Sequence, residues 1–353
     1  MHRGRSVSAV FWCLLAFAGG CGHRVGVPAV SPGRSEEARL VAVEVFDTNP
    51  EMSALVTARH DHAIRAALQD GGANDGAGLA AQIRAGGDFA YVKPSLVTYF
   101  ETHTSYLTID IVDRRDAEQR MPFRKPPEGL YPDPGQLLVA WDAYHDKVFD
   151  LLRRRQLWPP PADCPSFHCL GDPHQPELAH FAAPFAGVAD HGDELALILR
   201  DDARYEHRAT AVFLLAYLPD GNTVVTDLLP AIHDSSALVR NNALRVLAEI
   251  ALHHPEIDIP IDPVIEALSF PATSDRDKAA ATLYRLLTRP DGARLHRQVA
   301  RDAGRVLLAM LALAQPNNHD FAYKILKQIS GQSYGERDYA AWRTWLDSAT
   351  SAH

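Results

Sequence analysis

Four side chains between positions 164 and 174 are of the kinds from which a metal centre or a redox pair is made. Cys164, His168, Cys169 and His174 lie in DCPSFHCLGDPHQPELAHF, just after Trp158-Pro159-Pro160-Pro161. Two thiolates and two imidazoles could satisfy tetrahedral zinc. The spacing matches no zinc finger, however, and the adjacency of His168 and Cys169 strains a single site. A Cys164–Cys169 disulfide competes with that reading. Its loop is short, Pro165 helps it to turn, and it closes if the Cα atoms come within about 7 Å. Free thiols are the third possibility. The reading adopted is the disulfide, a staple within a linker over 159–185, with no metal and no cofactor assigned.

The redox compartment weighs in that choice, and the N-terminus speaks to it. His2, Arg3 and Arg5 give a charged start, and Val7 to Ala18 (VSAVFWCLLAFA) is an apolar run of signal-peptide length, short for a membrane span. Small residues then lead directly into a cysteine, Ala18-Gly19-Gly20-Cys21, and this resembles the lipobox of bacterial lipoproteins. The resemblance implies cleavage after residue 20 and diacylation of Cys21. Ala18 stands where that family usually has Leu, which leaves ordinary signal-peptide cleavage and an uncleaved anchor as alternatives. By resemblance to enterobacterial sorting, Gly22 in place of Asp points to the outer membrane. The expectations are a signal peptide over 1–20, a flexible tether over 21–38 and an envelope protein facing the periplasm. Once the leader is gone, Cys164 and Cys169 are the only thiols that could pair with each other, in an oxidising compartment.

Other clusters carry less chemistry. His60-Asp61-His62 sits within an expected helix over 51–69, where successive residues point in different directions and chelate poorly. Gly71 to Gly78 lacks the preceding strand and the GK[ST] ending of a phosphate cradle, and reads as a linker. Asp110 and Asp113 cannot share a strand face, so paired-carboxylate catalysis has no basis there. Asp113 to Asp116 (DRRD) reads as a polar turn. No nucleophile elbow, HExxH or Gly-rich nucleotide loop occurs between residues 39 and 158.

The elements around these residues are legible from periodicity. Leu40–Phe46, Phe89–Val92, Leu96–Phe100 and Tyr106–Val112 read as strands. A Pro-rich stretch, Arg124 to Pro134, leads to a helix running to Arg155, with Leu137, Leu138, Trp141, Tyr144, Val148, Leu151 and Leu152 as its apolar stripe. Together these make a small α+β domain over 39–158. Downstream, Asp227 to Leu252 (DLLPAIHDSSALVRNNALRVLAEIAL) reads as two helices joined at Asp234-Ser235-Ser236. Placing Arg208 on Arg240 puts Asp202 on Asp234, Ala211 on Ala243 and Leu215 on Leu247. A third copy places Arg276, Ala279 and Leu283 at the same positions, and a fourth places His319, Ala322 and Leu326 there. Offsets of about 32, 36 and 43 residues fall in the range of helix-pair repeats.

At Asp234, Val239, Arg240, Ala243 and Leu247 the pattern resembles HEAT repeats. The third and fourth copies lack the turn Asp at that offset. The resemblance implies a mainly α protein with a C-terminal HEAT-like α-solenoid over 186–330. Its Asp and Arg positions would be structural, and its surface would hold a protein partner. Asn241-Asn242 reads as a helix cap. Residues 331–353 read as a terminal cap, with Gly331 ending a helix and Asp338 opening one that bears Trp342, Trp345 and Leu346.

The chain has 353 residues, enough for two domains, and its net charge of −9 argues against general nucleic-acid binding. The functional expectation is a membrane-anchored scaffold without catalysis of its own. The rivals are an enzyme with a site near 164–174 and a solenoid that binds cell-wall peptide or glycan.

Overall fold

The computed structural model describes residues 38–69, 76–99 and 101–351. The leader, Cys21 and the tether lie outside the described residues. The chain is mainly helical, with one small sheet near the N-terminus.

Strand β1 (Arg39–Phe46) is followed by helices α1 (Pro50–Arg59), α2 (Asp61–Gln69) and α3 (Gly76–Ala85), then by β2 (Phe89–Tyr99) and β3 (Thr104–Asp113). The strand order is β1-β3-β2, with β1 parallel and β2 antiparallel to β3. The parallel pair requires a crossover, and the connection that includes α1–α3 supplies it. Leu107, Ile109 and Ile111 of β3, all buried, meet Ile64, Leu79 and Ile83 in a core belonging to the sheet and its helices.

Three details differ from the periodicity. The two strands expected over 89–100 are one, because Lys93-Pro94-Ser95 stays paired with Thr108 to Asp110. The helix expected over 51–69 is two helices that meet at His60. A helix begins at Gly76, inside the stretch read as a linker, and buries Leu79, Ala80 and Ile83.

After α4 (Ala117–Arg120) the chain runs extended to α5 (Leu137–Arg153). The stripe of α5 is buried as its spacing requires, but it does not join the sheet's core. Trp141 stacks on Phe213 with ring centroids 5.0 Å apart, so α5 shares one core with the helices that follow. These are α6 (Ala179–Ala182), α7 (Gly192–Asp201), α8 (Tyr205–Leu215), α9 (Gly221–Leu228), α10 (Ala237–His253), α11 (Asp262–Ala267), α12 (Thr273–Leu287), α13 (His296–Leu311), α14 (Pro316–Ser330) and α15 (Tyr339–Ser351).

Helices α8, α10, α12 and α14 pack in sequence, each against the next. Ala211, Ala243 and Ala279 lie fully buried in them. A small side chain at such positions lets helices approach closely. Gly331, at φ 66°, ends α14 and donates its N–H to the Lys327 carbonyl. Trp342 of α15 is fully buried and Leu346 nearly so. A Cβ on Gly304 of α13 would lie 2.5 Å from Leu346, which shows how closely α15 seats there. Among the described residues no helix is long and apolar enough to cross a membrane.

Candidate functional site

The charged residues of the repeat pattern form a ladder. Arg208 holds Asp234 through two contacts of 2.9 and 2.7 Å, and its Nη1 donates to the Asp202 carbonyl six residues back. Arg240 repeats the arrangement, with Asp275 at 2.8 Å and the Asp234 carbonyl at 2.7 Å. Arg276 does so again, with the carbonyls of Phe270 and Pro271. Its turn to find a forward carboxylate comes where the chain has Asn318, which accepts from its Nε at 3.0 Å. The missing charge comes from the sheet: Asp110 of β3 accepts from Arg276 Nη2 at 2.6 Å and from Thr273 at 2.9 Å. Asp110 and Arg276 are both fully buried. The guanidinium of Arg276 lies 3.8 Å from the ring centre of Phe46, and that of Arg240 lies 3.7 Å from Phe123. Both arrangements add cation–π attraction.

The chain from Arg120, the last residue of α4, through the Pro-rich stretch runs along this ladder. Arg120 reaches the Ser269 carbonyl and Asp47, Arg124 reaches Asp234 and the His233 carbonyl, and Gly129 bridges Asp202. Burial pushes the Asp234 carboxyl up, yet hydrogen bonds from Arg208, the Ser236 N–H and Arg124 outweigh it and hold the group below its ordinary value. Burial pushes Asp275 up, and Arg240 only partly offsets it. Asp202 binds Arg204 and caps the Tyr131 N–H. Both oxygens of Asp202 and of Asp234 are engaged in structure, whereas Asp275 holds Arg240 through one oxygen and its other is buried without a partner.

The second group surrounds the cysteine loop. Cys164 and Cys169 are joined by a disulfide with Cα atoms 6.0 Å apart. Sulfurs bonded to each other cannot ligate zinc as thiolates, so the four-residue metal set is not assembled. Among the described residues no three His, Cys, Asp or Glu side chains are arranged to hold a metal ion. His174 is exposed. His168, inside the loop, is 9% exposed, and its ring stacks on Phe213 with centroids 5.3 Å apart. Neither ring nitrogen has a hydrogen-bond partner. Burial pushes the imidazole down to about 3, with Arg245, Arg285 and Lys278 adding to the effect, so it is neutral at pH 7. The loop is anchored by the Phe167 N–H on the Ala216 carbonyl and by packing of Phe167 against His254.

Beside His168 lies a face made by α8, α10 and α12. Asn241, Arg245, Glu249 and His253 recur at four-residue spacing along α10 and so share one side. Phe213 of α8 and Tyr217 just beyond it, and Asp277 and Arg285 of α12 with Arg289 just beyond it, occupy equivalent repeat positions. Glu249 binds Arg285 at 3.1 Å, and Lys278 binds Asp277 at 2.6 Å. Arg245 is half-buried and makes no ion pair among the described residues. Its one contact is 3.5 Å to Asn241, and its buried Nε has no acceptor. Burial pushes this guanidinium down, against the pull of Asp277 and Glu249.

The two asparagines are not caps, because Ser236 precedes the helix and they sit within it. Asn242 donates to the Ala209 carbonyl of α8 and Asn241 to the Ser274 carbonyl of α12, so each ties α10 to a different neighbour. His60, Asp61 and His62 make no shared site; Asp61 pairs with Arg65 on the surface. Sequence reasoning missed Asp110 as a ladder member and Arg245 as a cation that makes no ion pair among the described residues. The offset of five residues from Arg240 to Arg245 is the signal that places Arg245 on another face of α10 from the ladder.

No protein-family model, no curated protein and no solved structure matches this chain.

Proposed function

We propose that the chain is an exported scaffold, anchored to a bacterial envelope membrane through an acylated Cys21 and built on a HEAT-like α-solenoid whose surface holds a protein partner. The observation that carries the helical-repeat part is the recurring Arg208, Arg240 and Arg276 geometry, each with Nη1 on the carbonyl six residues back. Three guanidiniums in one register are what a stacked repeat produces. The disulfide supports export, since such bonds persist outside the reducing cytosol. The lipobox-like Ala18-Gly19-Gly20-Cys21 supports the anchor and, with Gly22, the outer membrane. Several acyl chains hold a protein stably, because each buried CH₂ contributes about 0.8 kcal/mol. The solenoid reading assigns the Asp and Arg ladder to structure and the partner to the surface of the stacked helices.

The test is metabolic labelling with an alkyne-bearing fatty acid in a bacterial host, followed by membrane fractionation. Labelled wild type in the membrane fraction and an unlabelled, soluble or uncleaved Cys21→Ala variant support the anchor. Equal labelling of both forms overturns it.

A further inference from the structure

We propose that the sheet with α1–α3 is a detachable cover, which docks on hydrogen-bond donors of the helical half and opens as one body without unfolding. Neither the membrane anchor nor a protein partner is needed for this. Each half has its own apolar core. Val43, Val45, Val92, Leu107 and Ile109 close on α1–α3, and among the described residues the sheet gives only Phe46 to the helical core. The opposite face of the sheet meets the helices. Strand pairing sets Glu44, Thr108 and Ser95 side by side there, next to Phe46, Asp110 and Lys93. Carboxylates and hydroxyls stand among Phe46 and Val97 on this face, as on a sheet that meets water on one side.

The bonds across the junction pair acceptors on the sheet side with donors on the helical side. Asp110 accepts from Arg276 Nη2 and from Thr273, and Glu44 accepts from the Ala314 and Gln315 N–H groups at 2.6 and 3.3 Å. The Tyr99 hydroxyl accepts from the Asn317 N–H at 3.1 Å, and Asn49 from Arg305 at 3.2 Å. Water replaces bonds of this kind once the two bodies part, whereas it offers no substitute for a shared apolar core. Docking also leaves polar atoms unsatisfied. Thr108 Oγ1, beside Glu44 in the sheet, and Gln315 Nε2 belong to fully buried residues and have no hydrogen-bond partner. Arg120 Nη2, on the side chain that links Asp47 to the Ser269 carbonyl, has none either. Such atoms are rare in folded proteins and disfavour the closed state. Water that enters on opening would satisfy them, so opening costs less than the bonds across the junction suggest. An open cover bares Arg276 and the N–H groups of residues 314, 315 and 317, and its docking therefore regulates access to them.

The test uses the chain from residue 22 onward, which holds every described residue, with the Cys164–Cys169 bond intact so that an introduced cysteine is the one free thiol. Thr108 and Leu107 are neighbours on β3, both buried, on opposite faces of the sheet. Thr108→Cys, Leu107→Cys and, for the helical core, Ala243→Cys are each treated with iodoacetamide in native buffer. Alkylation is followed by mass spectrometry, and each rate is divided by that of the same variant unfolded in urea. We expect Thr108→Cys to react at least about tenfold faster than the other two, because a body with its own core opens at less cost than it unfolds. Thr273→Val removes a donor to Asp110 from the helical side and leaves the sheet's own core untouched. It should speed Thr108→Cys by about tenfold or more, the range for a hydrogen bond to a charged group, and leave Leu107→Cys unchanged. Val97→Cys against Val92→Cys, likewise buried on opposite faces of β2, repeats the comparison where Thr108→Cys does not fold. Equal rates on the two faces of the sheet would overturn the assignment, since the strand then opens by unfolding. So would a Thr273→Val variant that speeds neither face or both alike.

Discussion

The Asp110–Arg276 pair joins the sheet to the helices, and a double-mutant cycle across it should reveal strong coupling. Both side chains are fully buried, 2.6 Å apart and separated by 166 residues of sequence. In Asp110→Leu, Arg276 loses its ion-pair partner and keeps hydrogen bonds only to carbonyls, Thr273 and the Asn318 amide oxygen, with the Asp275 carboxylate nearby but not bonded to it. In Arg276→Met, Asp110 keeps only hydroxyl donors from Thr273 and Ser95. Breaking a buried pair from one side costs about 3–5 kcal/mol, because an uncompensated charge stays behind. The double variant removes both charges, so its loss should fall short of the sum by about 2–3 kcal/mol. The bonds from Arg276 to the Phe270 and Pro271 carbonyls are lost in both arms of the cycle and cancel from the coupling. The assay is urea unfolding followed by circular dichroism, with the disulfide intact, on protein produced from residue 22 onward. Asp110→Leu combined with Arg208→Met serves as the control. Those residues share no partner, and their effects should add within about 0.5 kcal/mol. Additivity of Asp110→Leu and Arg276→Met within that same margin would refute the claim that the sheet supplies the ladder's missing carboxylate.

Further outcomes follow from the same contacts. Asp234→Asn should destabilise more than Asp275→Asn, because Asp234 holds both Arg208 and Arg124 whereas Asp275 holds Arg240 alone; urea midpoints rank them. His168 should make the protein acid-sensitive. Its folded value of about 3 lies below the ordinary 6.5, so the unfolded chain binds the extra proton, and stability present above about pH 6.5 is lost as pH falls. Between pH 7 and pH 5 this one group costs about 2 kcal/mol, and His168→Leu should remove that part of the pH dependence while other groups keep theirs. Reducing the Cys164–Cys169 bond should cost about 2 kcal/mol for so short a loop, seen as a lower urea midpoint after thiol treatment. Trp342→Ala should cost about 3–5 kcal/mol by opening a cavity at the end of the helical core, read as a lower melting temperature.

The helical half was legible because its signals are local. Val239, Ala243, Leu244, Leu247 and Ile250 recur at helical spacing, and all are fully buried in α10. Gly331 and Trp342 announced the last turn and the closing helix for similar reasons. The sheet region was less clear, since a strand through Pro94 contradicts local preference and depends on pairing with β3. The fate of α5 was hidden for a related reason: an apolar stripe shows that a face is buried but not against what. Asp110 could not be recognised as the partner of Arg276, because no local pattern links positions so far apart. Residue type alone suggests caps at Asn241 and Asn242, whereas their lateral hydrogen bonds to α12 and α8 depend on helices stacking side by side. Arg245 is plain in the sequence, but only the three-dimensional neighbourhood shows that its buried Nε has no acceptor.

The central claim, an exported and lipid-anchored scaffold stapled by its own disulfide, is tested most directly by intact mass and peptide mapping of protein recovered from the native membrane fraction. The account predicts a chain beginning at an acylated Cys21, two hydrogens lighter than its fully reduced mass, with a Cys164–Cys169 linked peptide. A mature chain that begins elsewhere without acyl groups, or that carries both thiols reduced with stoichiometric zinc, would contradict it.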